Sequence, residues 1–330
     1  MDALSPAQIL RGAVACAIQA PSSHNTQPWR FRRRGDVLEL RADRDRHLDV
    51  IDPLRRQITI SCGCALYNAR VALRASGYVG QVDLMPDRDR PDLMALIGLG
   101  LKRTATADDL DLLAAISRRH TNRRPFFARP VGQAEAEHLA RAAAAERTKM
   151  IRLTPDQKRE LAGLVAESDR RRFSEPAYLA QVAQWLAPTG TYRGDGIPFV
   201  EKEYGSTGRF AVGRTLADPT LGERFADIEH DRVMGAPLVV IMATRDDDEI
   251  DWLDCGQALE AVLLRATALG LSAAYVDQLL EYEDLHAAVH QMIGGDGDLV
   301  PHMALRLGYA PPLDRPAPRR DLDEVFDEED

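Results

Sequence analysis

Two short segments carry residues whose types and spacing could do chemistry. The first, Pro21-Ser22-Ser23-His24-Asn25-Thr26-Gln27-Pro28-Trp29, is a run of small hydrogen-bonding side chains bracketed by prolines. A chain reversal needs one or two such residues, because Pro, Ser and Asn each restrict or cap the backbone in their own way. Here Ser22, Ser23, Asn25, Thr26 and Gln27 instead offer a row of donors and acceptors to a flat, polar-edged ligand, with Trp29 anchoring the loop from below. The second, Ser117-Arg118-Arg119-His120-Thr121-Asn122-Arg123-Arg124-Pro125-Phe126, interleaves four arginines with Thr and Asn. Guanidinium groups bind phosphate oxygens bidentately and hydroxyls add short hydrogen bonds. Such a cluster serves either a bound phosphate or a surface ion-pair network.

The elements that must position these segments are legible from periodicity. Helix-period stretches alternate with short apolar or β-branched runs, which makes the class α+β. Helices are predicted over Pro6–Ala20, Gln57–Ser76, Asp108–Arg118, Gln133–Ala145, Thr154–Phe173, Glu175–Leu186, Asp254–Leu269 and Leu280–Ile293. Strands are predicted over Trp29–Arg33, Val37–Ala42, Gly80–Leu84, Met94–Leu101, Lys149–Leu153, Leu238–Thr244, Ser272–Tyr275 and His302–Gly308. From Pro188 to about Asp231 no period is sustained, which predicts a long irregular insertion; long ordered loops in compact proteins are usually lids or binding loops. Trp185 and Tyr192 beside it would either anchor it to the core or cover a ligand. Arg30 with Arg32-Arg33-Arg34 reads as a solvated strand and turn. The tail after Pro311, Pro- and Arg-rich and then acidic, is expected to wrap the surface and fray.

One internal similarity bears on organisation. Ser61–Tyr78 aligns without gaps on Asp254–Leu271 at an offset of 193 residues, pairing Cys62 with Cys255, Gly63 with Gly256, Ala65 with Ala258 and Leu66 with Leu259. Each copy opens with a polar residue and Cys-Gly, continues as an apolar helix with small residues on one face, and closes on Gly.

Composition limits the alternatives. The chain has 330 residues, 45% hydrophobic and 28% charged, as in soluble globular proteins. No apolar run approaches the roughly 20 residues needed to span a bilayer, and the first residues lack the pattern of a signal peptide, so a cytoplasmic protein is expected. Cysteines at 16, 62, 64 and 255 form neither a disulfide framework nor a zinc pair, so no metal is expected. A net charge of −9 argues against general nucleic-acid binding.

On these residues the chain resembles the FMN-dependent nitroreductase family. Pro21–Trp29 looks like its P-S-x-x-N-x-Q-P-W signature, and Arg118–Phe126 followed by Pro130-Val131 is similar to its R-R-S-x-R-x-F … P-V opening. The resemblance implies FMN as cofactor. It assigns Pro21, Ser22, Ser23, Asn25 and Gln27 to the flavin, and Arg119, Thr121 and Arg123, beside Arg118, to its phosphate and ribityl chain. Leu269–Gln278 resembles the strand whose carboxylate and backbone N–H lie against flavin N5; Asp277 and Gln278 match it, with Gln where the family has Gly. Arg319 or Arg320 corresponds to the C-terminal basic residue that returns to the phosphate. A lysine usually facing flavin N1 falls at Asp231 or Arg232. His24 would touch the flavin edge or cap the turn.

In that family the helix aligned above lies at the centre of a homodimer interface. The resemblance therefore implies two nitroreductase-like halves in one chain, 1–107 and 108–330, the second carrying a lid insertion at about 188–231. The first half owns the Pro21–Trp29 loop and the second the arginine motif, so they complete one flavin pocket between them; one FMN per chain and a monomer are expected. Within the superfamily the chain is similar to the Acg branch, whose members bind FMN, carry a lid over it, and have been proposed to sequester it. Two readings follow, an NAD(P)H-dependent reductase of nitro, quinone or other small aromatic acceptors and an FMN store with little reductase activity. A third class is a flavin-free interaction protein on the same fold. No catalytic side chain is assigned by sequence.

Overall fold

The structure is a computed structural model and describes residues 4–187, 193–198, 220–294, 299–311 and 317–329; Tyr192 and most of the expected insertion lie outside the described residues. In chain order the helices are α1 (Pro6–Ala17), α2 (Arg56–Ala75), α3 (Ala107–Ile116), α4 (Gln133–Ala145), α5 (Pro155–Ser174), α6 (Pro176–Gln184), α7 (Thr220–Gly235), α8 (Glu249–Ala268), α9 (Glu283–Ile293) and α10 (Leu322–Val325). The strands are β1 (Trp29–Arg34), β2 (Val37–Ala42), β3 (Gln81–Leu84), β4 (Leu93–Gly98), β5 (Lys149–Arg152), β6 (Leu186–Ala187), β7 (Ile197–Pro198), β8 (Leu238–Thr244), β9 (Ser272–Tyr275), β10 (Val300–Gly308) and β11 (Phe326–Glu329). The α+β class holds. Several starts follow from local chemistry: Ser5, Thr106 and Thr154 each close a capping box, and Pro6 and Pro155 occupy the first turns of α1 and α5.

The two main sheets repeat one plan. Four strands of the first run β1-β2-β4-β3 and the second runs β5-β8-β10-β9, with every neighbouring pair antiparallel. One helix precedes each first strand (α1, α4), and a long helix follows each second strand (α2, α8). α2 and α8 pack on each other within one core, burying Cys62, Cys64, Ala65 and Leu66 against Cys255, Ala258, Leu259 and Val262. They cross at the two aligned glycines. A Cβ on Gly63 would fall on the Leu253 carbonyl oxygen and 2.8 Å from Gly256 Cα, and one on Gly256 would fall on the Ile60 carbonyl oxygen. Only bare backbone fits there, which is why the internal repeat keeps Gly in both copies.

Two expectations need correction. Part of the stretch read as irregular, from Thr220, is the helix α7; it packs along α5, with Phe173 and Phe225 stacked at 4.6 Å and Arg170 2.8 Å from Glu223. Its charged, weakly amphipathic sequence gave no period, and its partner supplies the order. The acidic tail likewise does not fray. β11 adds parallel to β1, placing Asp327, Glu328 and Glu329 opposite Arg32, Arg33 and Arg34. Glu329 pairs with Arg32 and lies 3.4 Å from Arg34, while Val325 and Phe326 are buried beneath. Thus the first sheet contains residues from both ends of the sequence.

Candidate functional site

The loop between α1 and β1 holds three left-handed residues in four positions, His24, Asn25 and Gln27, with φ of 50°, 54° and 51°. None is glycine, so the conformation costs energy that surrounding bonds must offset. Gln27 N–H donates to Ser22 Oγ (2.9 Å), Asn25 N–H to the Ser22 carbonyl (3.0 Å), and Ser23 Oγ to Gln57 Oε1 on α2 (3.2 Å). Pro21 is buried at the loop's root, and Trp29 is fully buried beneath it.

The arginine motif follows α3 and runs beside β9. Asn122 N–H donates to the Ala273 carbonyl (2.9 Å), Thr121 bridges Ala273, and Arg306 donates to the carbonyl of Arg124 (3.0 Å). Arg119 is thereby turned inward and is 4% exposed. It donates to the Gln19 carbonyl at 3.2 Å; Arg319, from the C-terminal segment, donates to the same oxygen at 2.9 Å. Two guanidiniums thus converge at the base of the Pro21–Trp29 loop. Their neighbour is Glu260 on α8, fully buried and 3.4 Å from Arg119. Burial pushes its carboxyl up to about 7, against the pull of Arg119. Burial, then Arg119, pushes Arg319 down to about 9, and burial with both arginines holds His120 neutral, at about 4. Arg319 Nε, His120 Nδ1, Tyr275 Oη and both Glu260 oxygens find no hydrogen-bond partner among the described residues. A buried cation pair with open donors is electrostatically incomplete and suits a further anion with several acceptor oxygens.

A second cluster lies around Asp277, which opens the single turn Gln278–Glu281 after β9. Burial raises Asp277 to about 6, opposed by Arg172 and Arg123; burial, then the same two arginines, lowers His24 to about 3. These four groups share one electrostatic neighbourhood. Glu281 is raised well above the usual carboxylate range by burial and by Asp277. Arg172, from the end of α5, is held by Asp169 (2.6 Å) and donates to Tyr178 Oη (3.1 Å). Asp231 is exposed, whereas Arg232 is buried and pairs with Glu229.

The sequence-predicted residues separate by position. Ser22, Ser23, Asn25 and Gln27 share the loop with Pro21; Arg119 and Arg319 meet below it; Thr121, Arg123, Asp277 and Gln278 follow along β9. Arg118 does not join them: it is exposed and its Nε folds back on the Ala114 carbonyl at 3.1 Å. Arg320 faces the other side of the loop, donating its N–H to Gln27 Oε1 (2.9 Å) and lying 3.9 Å from Asp43. The Asn25 and Gln27 amides are largely committed to protein. Asn25 Nδ2 donates to the carbonyls of Gly196 (3.0 Å) and Pro318 (3.1 Å), and Gln27 Nε2 to that of Gly194 (2.8 Å). Asp195 in the same strap pairs with Arg46, whose guanidinium lies 5.1 Å from the Trp185 ring centre, so Trp185 anchors the strap to the core. Glu260, Arg172 and Glu281 were missed by motif reading. A lone carboxylate inside the apolar run Gln257–Leu264 was the signal available for Glu260.

The nitroreductase family profile matches residues 116–309. The chain belongs to the nitroreductase family. Two Mycobacterium tuberculosis proteins are similar along nearly their whole length. "Putative NAD(P)H nitroreductase Rv3131" is 33% identical, covering 97% of this chain and 92% of the relative. "Putative NAD(P)H nitroreductase acg" is 29% identical, covering 98% and 97%. Among solved structures, the FMN- and NADPH-dependent nitroreductase NfnB from "sphigopyxis sp. strain HMH" superposes with a TM-score of 0.45 at 21% identity, covering 66% of this chain and 99% of that one. A Desulfitobacterium hafniense nitroreductase with bound FMN gives 0.42 at 15%, covering 65% and 96%.

Proposed function

We propose that this protein binds one FMN per chain and uses it as an NAD(P)H-dependent reductase of small nitro or quinone compounds. The observation that carries the reading is the convergence of Arg119 and Arg319 on the Gln19 carbonyl beneath the Ser22–Gln27 loop, with donors left open among the described residues and Glu260 the one carboxylate paired with Arg119 there. The residues fit the cofactor. Arg119, Arg319 and Thr121 would hold the phosphate end, Ser22 and Ser23 the ribityl and ring edge, and Asp277 with the Gln278 N–H the redox edge. Bound FMN supplies hydride acceptance and delivery. The chain's own contributions are a fixed cation at Arg172, a neutral His24, and Asp277 and Glu281, carboxyls whose raised affinity for protons suits them to keep or pass one.

The repeated sheets and the α2–α8 crossing support the reading of two fused halves, 1–107 and 108–330, which makes a monomer the expected state. FMN titration followed by NADPH addition under anaerobic conditions tests the activity: bleaching of the flavin bands within seconds, with an acceptor restoring them, is expected. Persistence of the bands under NADPH, with bleaching only by dithionite, would instead select the storage reading. That second reading is favoured by one observation, the strap at Arg193–Pro198 latched to the very amides expected to meet the flavin. Failure of folded protein to take up FMN would overturn both.

A further inference from the structure

The carboxyl of Glu260 has no counterpart among the residues that the family resemblance assigns, yet it sits in the middle of the cationic cluster. It is fully buried in the middle of α8, 3.4 Å from Arg119 Nε, and neither of its oxygens has a hydrogen-bond partner among the described residues. The groups facing it come from every surrounding element. They are Arg119 after α3, Arg319 from the C-terminal segment, Cys64 and Asn68 on α2, and Tyr275 on β9. The Asn68 amide lies beside the carboxylate but outside hydrogen-bonding geometry.

We infer that Glu260 is a proton-coupled stand-in for the bound phosphate: ionised, it balances Arg119 before a ligand binds, and it takes up a proton when a phosphate monoester enters. The inference rests on the FMN reading and adds a regulation of that same site. The charges require it. Two buried guanidiniums and one carboxylate sum to one positive charge. A phosphate monoester brings about −1.5 to −2 near neutral pH, so a site holding it with Glu260 ionised would keep an uncompensated buried anion. Protonating Glu260 removes that excess, and a buried like charge nearby is the ordinary cause of a carboxyl becoming neutral. The proton comes from solvent and leaves again when the ester departs; no bond besides O–H forms or breaks.

The starting point already lies in the physiological range, since burial holds Glu260 at about 7 before any ligand arrives. The neighbours do not interfere. His120, at about 4, is neutral throughout; burial keeps Cys64 and Tyr275 protonated; Arg319, at about 9, bounds the window from above. The sign follows from linkage. Below the carboxyl's free-site value the proton is present in both states and affinity is flat. Above it binding must import a proton, so affinity falls with rising pH by up to about tenfold per unit.

The test compares FMN and riboflavin, which lacks the phosphate, binding to the whole chain between pH 6.5 and 8.5 by quenching of flavin fluorescence. For the wild type, FMN affinity is expected to weaken about tenfold or more from pH 7 to 8.5, while riboflavin affinity stays level. Glu260→Gln should bind FMN with no pH slope and more tightly than wild type at pH 8.5. A level FMN profile in the wild type, an unchanged slope in Glu260→Gln, or an equal slope for riboflavin would each overturn the inference while leaving FMN binding intact. If Glu260→Gln fails to fold, calorimetry of wild-type FMN binding at pH 8 in buffers of different ionisation enthalpy decides: uptake of close to one proton supports it, and none overturns it. Absence of any FMN binding would overturn the inference and the underlying reading together.

Discussion

The two ends of the α2–α8 crossing are built from the same parts and differ in how their charges are satisfied. At one end the connection from α1 to β1 spans residues 18–28, and Arg119, Arg319 and Glu260 meet with open donors and acceptors. At the other, the corresponding connection from α4 to β5 is residues 146–148. There Arg70 donates to Glu146 (2.5 Å) and Gln257 (2.6 Å), and Arg147 pairs with Asp254 (2.8 Å). The internal alignment sharpens the contrast. Gln257 stands where the first end has Cys64, Tyr67 where it has Glu260, and Ala261 where it has Asn68. Tyr67 is buried among Val71, Leu112, Ile116 and Leu264. One end is closed by its own side chains; at the other, polar atoms of Arg119, Arg319 and Glu260 lack partners among the described residues. A repeated scaffold thus carries different polar interiors, set by loop length and a few positions, and on the proposed reading a single site.

The comparison is most exposed to a paired substitution. Arg119→Met is expected to weaken FMN binding by about 100-fold or more, the scale of losing one partner of a desolvated charge contact. Arg70→Met, at the other end, should leave FMN affinity within about twofold; an equal loss in both would erase the distinction. Next in size is the crossing itself. Gly63→Ala must displace α8 backbone and is expected to cost about 1–3 kcal/mol in denaturant unfolding, whereas Gly12→Ala, in open space, should not destabilise.

Unlatching the strap comes third. Asp195→Asn removes the charge shared by Arg193 and Arg46, the latter also bonded to the Thr26 carbonyl of the loop, and should speed FMN release several-fold, about 1 kcal/mol. An unchanged rate would mean that Asn25 and Gln27 hold the flavin without the strap's help. A pH-dependent effect separates Glu260 in the FMN-free protein. Its folded value is raised above the unfolded one, so its contribution is fully present below about pH 4.5 and is lost as pH rises through about 7. Glu260→Gln should therefore gain stability relative to wild type at pH 8 compared with pH 5, by on the order of 1 kcal/mol per unit across that window. Smallest is Glu329→Gln at the β1–β11 edge, where half-exposed ion pairs are worth about 0–1 kcal/mol.

Much of this was legible before the structure because it is local. Helix starts at Pro6 and Pro155 carry their own caps, and the strands Val37–Ala42, Leu238–Thr244 and Ser272–Tyr275 carry β-branched or apolar runs whose predicted bounds match. The Ser22–Gln27 loop and the Arg119–Arg123 run stood out by composition, and the fold brings the base of the first beside Arg119 of the second. What escaped depends on partners distant in sequence. Phe326-Asp327-Glu328-Glu329 reads as a solvated tail until Arg32, Arg33 and Arg34 stand beside it. α7 has order because α5 packs along it. Sequence left Arg319 and Arg320 equivalent; only the fold turns one toward Arg119 and the other toward Asp43. Asp231 and Arg232 were likewise undecided until one faced solvent and the other Glu229.

The most direct measurement is the stoichiometry of FMN on the purified chain, by titration to the end point of flavin fluorescence quenching. One FMN per chain, lost in Arg119→Met and kept in Arg70→Met, is the predicted result. Two per chain, or one that survives Arg119→Met but not Arg70→Met, would contradict the assignment of the site to the Arg119–Arg319 end.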